Sequence, residues 1–174
     1  MESPDGKMKI LVDFDDVLSD TFAELEKREG PAADPSAQDL REMFPGIDLR
    51  IYLNSLDFYR EIPPVSGAAE GVKGIIASGH EVRYASARLP DVEGVSREWL
   101  NEWGFQDVPL DCLGREGKKD LLKTELYDLL IDDQMRYLKI AREQGRRALA
   151  LDRRWNGTWD GDRIASWEDI ERAL

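Results

Sequence analysis

Apolar runs that end in oxygen-rich side chains mark where this chain could do chemistry. ILVDFDDVLSD, Ile10 to Asp20, puts Asp13, Asp15, Asp16 and Asp20 behind three apolar residues, YASAR delivers Ser86 and Arg88, and LLIDD delivers Asp132 and Asp133. Lys118 and Lys119 of GREGKKDLL lie shortly before that last pair. Four carboxylates within eight positions repel one another, so something must offset the repulsion. A divalent cation does so: Mg2+ binds through one or two carboxylates, keeps waters and takes a substrate phosphate oxygen. With a phosphate held in line, a free aspartate oxygen can attack phosphorus and form an aspartyl-phosphate. A second Asp two residues on can protonate the leaving oxygen and then activate water. A hydroxyl and a lysine can stabilise charge on the phosphoryl oxygens.

Taken singly, each piece has a plainer reading. Asp13, Asp15 and Glu24 fall at EF-hand ligand positions, but Val17 and Leu18 stand where an oxygen ligand and the obligatory glycine belong, so a calcium loop is rejected. IDD alone could cap the helix that follows a strand. Ser86 alone could be a turn residue, and the two lysines a solvated charge run. The specific signal is the order: strand then DxD, strand then Ser, Lys, strand then DD.

Such residues need a scaffold that brings strand ends together. Apolar, β-branched runs alternate with helical segments, the pattern of a parallel α/β sheet. Strands are expected at about Lys9 to Val12, Glu81 to Ala85, Pro109 to Leu113, Tyr127 to Ile131 and Arg147 to Leu151. Helices are expected at Gly67 to Ala77, in SREWLNEW from Ser96 and in MRYLKIAREQ from Met135, the last two closed by Gly104 and Gly145. Ser166 with Asp169 three residues on reads as a capping box. Leu18 to Pro64 breaks the alternation with helical patterning alone, an insert after the first strand. In a parallel sheet, Asp13, Asp15, Ser86, Asp132 and Asp133 would converge on one crevice at the carboxyl edge.

Composition narrows the rest. At 174 residues, 41% hydrophobic and 34% charged, the chain has the make-up of one globular unit. A net charge of −12 with scattered Lys and Arg argues against gripping a nucleic-acid polymer. His80 and Cys112 are the only residues of their kinds, which excludes an internal disulfide, a His-based zinc site and a Ser-His-Asp triad. The polar start MESPDGKMKI and the lack of a membrane-length apolar run point to a soluble, cytoplasmic protein.

These residues resemble the four motifs of the haloacid dehalogenase (HAD) superfamily of phosphohydrolases, over nearly the whole chain. The resemblance implies a three-layer Rossmann-like α/β fold, with residues 1–17 and 65–174 as catalytic core and 18–64 as a small helical cap. It implies Asp13 as nucleophile, Asp15 as general acid and base, Ser86 as phosphate-binding hydroxyl and Lys119, preferred to Lys118 because KDLL looks like a helix start, as the charge-stabilising lysine. It implies Mg2+ held by Asp13, Asp15 through its backbone carbonyl, and the Asp132–Asp133 pair. Within the superfamily, the insert, IPPVSGAAEGVKGIIASGHEVRYASAR and LDRRWNGTWDGDRIASWEDI are similar to the 5'(3')-deoxyribonucleotidase group. Two departures stand out. Asp16 replaces a frequent glycine, and Thr21, with Phe22 beside it, stands where that group often has a base-stacking aromatic.

The expected function is a Mg2+-dependent phosphomonoesterase acting on a small phosphorylated substrate, a nucleoside 5'-monophosphate first, a sugar phosphate or other phosphomonoester second. Arg88 and Asn156 are candidate substrate contacts, and Tyr52, Phe58 and Tyr59 could stack on a base. Trp155, Trp159 and Trp167 read as packing. A receiver domain is disfavoured because its acceptor aspartate ends a later strand, and a non-hydrolysing nucleotide binder would have no need of Asp15 in addition to Asp13. No nucleic-acid polymer or membrane partner is expected, and a homodimer is left open.

Overall fold

The computed structural model describes residues 6–174; the first five residues, part of the polar start and of the 1–17 segment, lie outside the described residues. Strand β1 (Lys9–Val12) is buried over its last three residues, as a central strand covered on both faces must be. It pairs in parallel with β2 (Glu81–Ser86) on one side and β4 (Leu129–Asp132) on the other, Ile10 lying opposite Val82 and Leu129. β3 (Leu110–Cys112), β5 (Arg147–Leu151) and β6 (Arg163–Ile164) complete a six-stranded sheet of order β3-β2-β1-β4-β5-β6, every pairing parallel. The short β6 was not foreseen.

Strand periodicity sorts the apolar residues into two layers. Ile10, Val12, Tyr84 and Ile131 face α5 (Ala68–Ala77) and α6 (Glu93–Glu102), with Trp99 and Trp167 filling that layer. Leu11, Ala85 and Leu130 face α7 (Gly114–Thr124) and α8 (Met135–Glu143). The result is the expected three-layer Rossmann-like arrangement. The chain reverses direction across the sheet beside β1, whose two neighbours are β2 and β4, and open α/β sheets bind ligands at such a switch point.

Between β1 and α5 run only helices: α1 (Thr21–Glu29), α2 (Leu40–Met43), α3 (Arg50–Leu53) and α4 (Leu56–Glu61). They share a third apolar cluster in which Phe22, Met43, Phe58 and Tyr59 meet Val92, Val95 and Trp155. The insert is thus seated on α6 and on the loop after β5. Gly104 and Gly145 adopt left-handed φ of 73° and 71° just past their helices, as glycine caps do. The expected capping box at Ser166 does not form: its side chain makes no cap bond. There a 3-10 turn spans Trp167–Asp169, and α9 (Ile170–Ala173) follows. The buried Trp167 indole, bonded to the Val17 carbonyl at 2.8 Å, sets this local register instead. Among the described residues, no helix is long and apolar enough to cross a membrane.

Candidate active site

Strand ends place the carboxylates. The Asp13 N–H donates to the Ile131 carbonyl at 2.9 Å, fixing the residue after β1 beside the end of β4. There the carboxylate oxygens of Asp13, Asp132 and Asp133 approach within 4.8 Å of one another, all three residues buried. Lys118 supplies the counter-charge. Its fully buried Nζ lies 2.6 Å from Asp13 and 2.7 Å from Asp132, over the Tyr137 ring.

The expectation for Lys119 is corrected here. α7 begins at Gly114, so Gly114, Lys118, Leu121 and Leu122 form its buried face, and Lys119 is turned about 100° away. Its amine bonds Glu116 at 2.7 Å on the surface. The spacing of Lys118 with Leu121 and Leu122, at i+3 and i+4, was the available signal.

Each carboxylate then has its own environment. Asp132 accepts from Lys118 and, through Oδ1, from the Gln134 N–H at 2.8 Å, so both its oxygens are engaged. Asp133 accepts through Oδ2 from Trp155 Nε1 at 2.7 Å and Gln134 Nε2 at 2.9 Å, while its buried Oδ1 has no partner. Burial, with the Asp132 charge next, raises Asp133 well above the usual carboxylate range. Burial and Asp132 likewise push Asp13 up to about 7, against the pull of Lys118. On Lys118 the two aspartates outweigh burial and hold it charged.

That donor set fits a hard divalent cation. A buried carboxylate oxygen without a donor beside a second carboxylate is an arrangement that costs free energy unless a cation completes it. Asp13 and Asp133 would hold the ion. Asp132 anchors Lys118. The Asp15 carboxylate stands outside the group of three, so only its backbone carbonyl could take part.

Asp15 is turned toward a different set of partners. It accepts from Arg88 Nη2 at 2.8 Å and Thr21 Oγ1 at 2.6 Å. Burial would raise its pKa, but Arg88, Thr21 and Ser19 together hold it below the usual range. Thr21 therefore bonds a carboxylate where an aromatic was awaited. Asp16 sits at φ 61°, where glycine is frequent, and its Oδ1 accepts from the Phe22 N–H at 2.7 Å, capping the first turn of α1. Burial raises Asp16 to about 8.

Ser86 ends β2 fully buried, its Oγ accepting from the Arg88 N–H at 3.1 Å, which leaves its O–H to donate. Asn156 is corrected as a substrate contact. Its Nδ2 donates to the Asp133 and Leu151 carbonyls at 2.9 and 2.8 Å and its Oδ1 accepts from Arg153, so it fixes the backbone behind Asp133. Trp155 is more than packing, since it holds Asp133. Neither Trp155 nor Gln134 was foreseen in the site, because Trp155 acts from a three-residue 3-10 turn and Gln134 from the residue before α8, where no repeating pattern marks them.

A cavity of about 200 Å3 opens on this cluster. Asp13, Asp15, Arg88 and Asp133 line its polar side, and Leu40, Met43, Leu53 and Tyr59 of the insert, with Leu89, line the other. Tyr52 and Phe58 do not reach it: Phe58 is buried in the insert, and the Tyr52 hydroxyl bonds Glu29. Arg115 and Arg136 stand on the rim, bonded to insert residues Asp39 and Gln38.

Comparison with known proteins agrees with this geometry. Residues 7–174 match the family model described as "5' nucleotidase, deoxy (Pyrimidine), cytosolic type C protein". The "Putative 5'(3')-deoxyribonucleotidase" of Bordetella pertussis is 30% identical over 161 residues, 82% of each chain. In fold, the chain is similar to a HAD-superfamily hydrolase of Geobacter sulfurreducens (TM-score 0.61, 13% identity, 97% and 96% of the two chains). It is also similar to the "putative HAD-hydrolase YfnB" of Bacillus subtilis, bound to magnesium (TM-score 0.60, 12% identity, 97% and 98%). With a parallel sheet folded like that of the HAD hydrolases and carboxylates gathered at its switch point, the family match running from residue 7 to the last residue makes this chain a member of the "5' nucleotidase, deoxy (Pyrimidine), cytosolic type C" family of phosphoric monoester hydrolases.

Proposed function

We propose that the protein is a Mg2+-dependent phosphomonoesterase that hydrolyses a nucleoside 5'-monophosphate through an aspartyl-phosphate on Asp13, with insert residues 18–64 as its cap. The observation that carries this reading is the buried Asp13–Lys118–Asp132–Asp133 cluster opening onto the cavity. A cation at Asp13 and Asp133 would supply positive charge against the phosphoryl oxygens and orient them.

The chain's own residues do the rest. Asp13 attacks phosphorus, the bond to the leaving oxygen breaks with its electron pair on that oxygen, and Asp15 gives the oxygen a proton. Arg88 and the hydroxyls hold Asp15 ionised in the resting protein, and the negative charge of an arriving phosphate opposes this and favours proton uptake. Water then attacks the phosphoryl group, Asp15 takes its proton, and the Asp13–phosphorus bond breaks. Lys118 and the Ser86 hydroxyl oppose the charge that gathers on the phosphoryl oxygens. The aliphatic wall of Leu40, Met43, Leu53 and Leu89 suits the flat, weakly polar face of a base more than the hydroxyls of a sugar.

Phosphate release from nucleoside 5'- and 3'-monophosphates and from sugar phosphates, each in Mg2+ and in EDTA, tests the proposal. The expected result is release from the 5'-nucleotides that vanishes in EDTA and returns with Mg2+. Full activity in chelator overturns the metal role, and a preference for sugar phosphates overturns the substrate.

A further inference from the structure

Arg88 is a buried cation, and all three of its guanidinium nitrogens donate to side chains of the protein. Nε lies 3.0 Å from Asp15 Oδ2 and Nη2 lies 2.8 Å from Oδ1, a two-pronged grip that fixes the plane as well as the position of the carboxylate. Nη2 also reaches Ser19 Oγ at 3.2 Å, and Nη1 reaches Ser96 Oγ on α6 at 2.9 Å. The guanidinium is held between two rings, 4.0 Å from the centroid of Phe14 and 4.6 Å from that of Tyr59. Phe14 belongs to the loop that carries Asp13 and Asp15, and Tyr59 to α4 of the insert. An arginine so engaged could turn its fork onto a phosphate only by abandoning a carboxylate that no other cation bonds, which leaves one Nη1 N–H, far short of a two-pronged grip, for anything in the cavity.

We infer that Arg88 is a positioning residue rather than a substrate contact: it aims the Asp15 carboxylate, and through Tyr59 it makes that aim depend on the seating of the helical insert. The inference rests on Asp15 acting as acid and base in the proposed reaction. Two features of the surroundings favour it. Thr21 and Ser19 bond the same Asp15 oxygen at 2.6 and 3.3 Å, so the carboxylate is held from both sides in one orientation. The Arg88 backbone is fixed as well, its N–H on Ser86 Oγ and its carbonyl accepting from Gly114 N at 2.8 Å. The side chain therefore leaves a rigid base.

A residue that aims a proton donor is distinguished from one that binds phosphate, or merely supports the fold, by the leaving group. A nucleoside 5'-oxygen leaves as a strongly basic alkoxide and needs the proton, whereas p-nitrophenolate departs without it. The test compares kcat/KM, which covers only the steps through the first phosphoryl transfer, for a nucleoside 5'-monophosphate and p-nitrophenyl phosphate. Arg88→Lys is expected to lower the first roughly 100-fold and the second less than about 10-fold, the scale of a misplaced general acid. Tyr59→Leu and Ser96→Ala, which loosen Arg88 without removing it, are expected to give the same pattern at several-fold size, and they decide the matter if Arg88→Lys fails to fold. Equal losses on both substrates, a rise in KM alone, or no loss overturns the inference. A parent protein that releases phosphate from neither substrate overturns instead the reading on which it rests.

Discussion

Lys118 and Lys119 are adjacent in the chain and opposite in environment, and the difference should be measurable. Removing Lys118 leaves Asp13 and Asp132 buried without their cation, a situation that costs about 3–5 kcal/mol. It also removes positive charge from the phosphoryl oxygens, a loss of about 10²–10³ in kcat where single stabilising groups have been deleted. Lys118→Met should therefore lower both the urea midpoint and kcat, while Lys119→Met, which breaks one surface pair with Glu116, should move neither by more than about 0.5 kcal/mol or a few-fold. Equal effects of the two substitutions would return the role to Lys119. Asp13 gives a second prediction at this scale. Its pKa is about 7 in the fold against 3.8 for the unperturbed group, so the native metal-free protein binds this proton more tightly than the unfolded chain. Stability from the group is thus present below about pH 4 and lost as pH rises toward 7. Asp13→Asn carries no such proton. In EDTA, its stability relative to the parent should grow between pH 4 and 7 and level off above, as read by urea unfolding; a difference independent of pH would show that Asp13 is not perturbed.

Elements decide how much of this could be read from sequence. β1 and β5 fall at the residues expected because their apolar runs are bounded by charge at one end and by polar site residues or loops at the other. The meeting of Asp13 with the Asp132–Asp133 pair followed from parallel strands alone. What escaped depends on rotation about a helix axis or on loops. The start of α7 was misplaced, and an offset of one residue there exchanges a buried lysine for a surface one. Gln134 acts on Asp133 from the residue before α8, and Trp155 and Asn156 from a single 3-10 turn (Arg154–Asn156) too short for any periodicity to mark them. Asp16 lies between the two cases, since its position was noticed and its use was not. Asp20, the residue before α1, makes no side-chain cap bond, and Asp16 caps the helix from a left-handed position instead. Asp16→Ala should lose the cap and strain the backbone, about 1 kcal/mol for each. Asp16→Gly should lose only the cap, and Asp16→Asn should keep the acceptor while relieving a buried acid. The expected order of thermal stability is Asn above Gly above Ala; an Ala variant as stable as the Gly variant would refute the strain.

At the scale of the molecule, the insert and the candidate metal ligand Asp133 share one tryptophan. The Trp155 indole packs against Phe22 of the insert with ring centroids 4.9 Å apart and donates to Asp133 Oδ2, and its carbonyl accepts from the side chain of insert residue Gln38. Arg136 of α8 and Arg115 of α7 bond the insert as well, at Gln38 and Asp39. Orientation of a ligand by its outer partner typically accounts for 10–100-fold in metal affinity. Trp155→Phe keeps the ring against Phe22 but deletes the N–H, so it should weaken Mg2+ by that factor and disturb the metal-free fold far less. Binding stabilises by RT ln(1 + [L]/Kd), about 2.7 kcal/mol at one hundred times Kd, and each tenfold loss of affinity removes about 1.4 kcal/mol of it. Melting the parent and the variant across a Mg2+ titration measures this directly. The parent's Tm should climb with Mg2+, and the variant should need roughly ten to a hundred times more ion for the same rise. Identical titrations would mean that the indole bond does not orient Asp133 for a cation, and that the unpartnered Oδ1 beside it answers to something else.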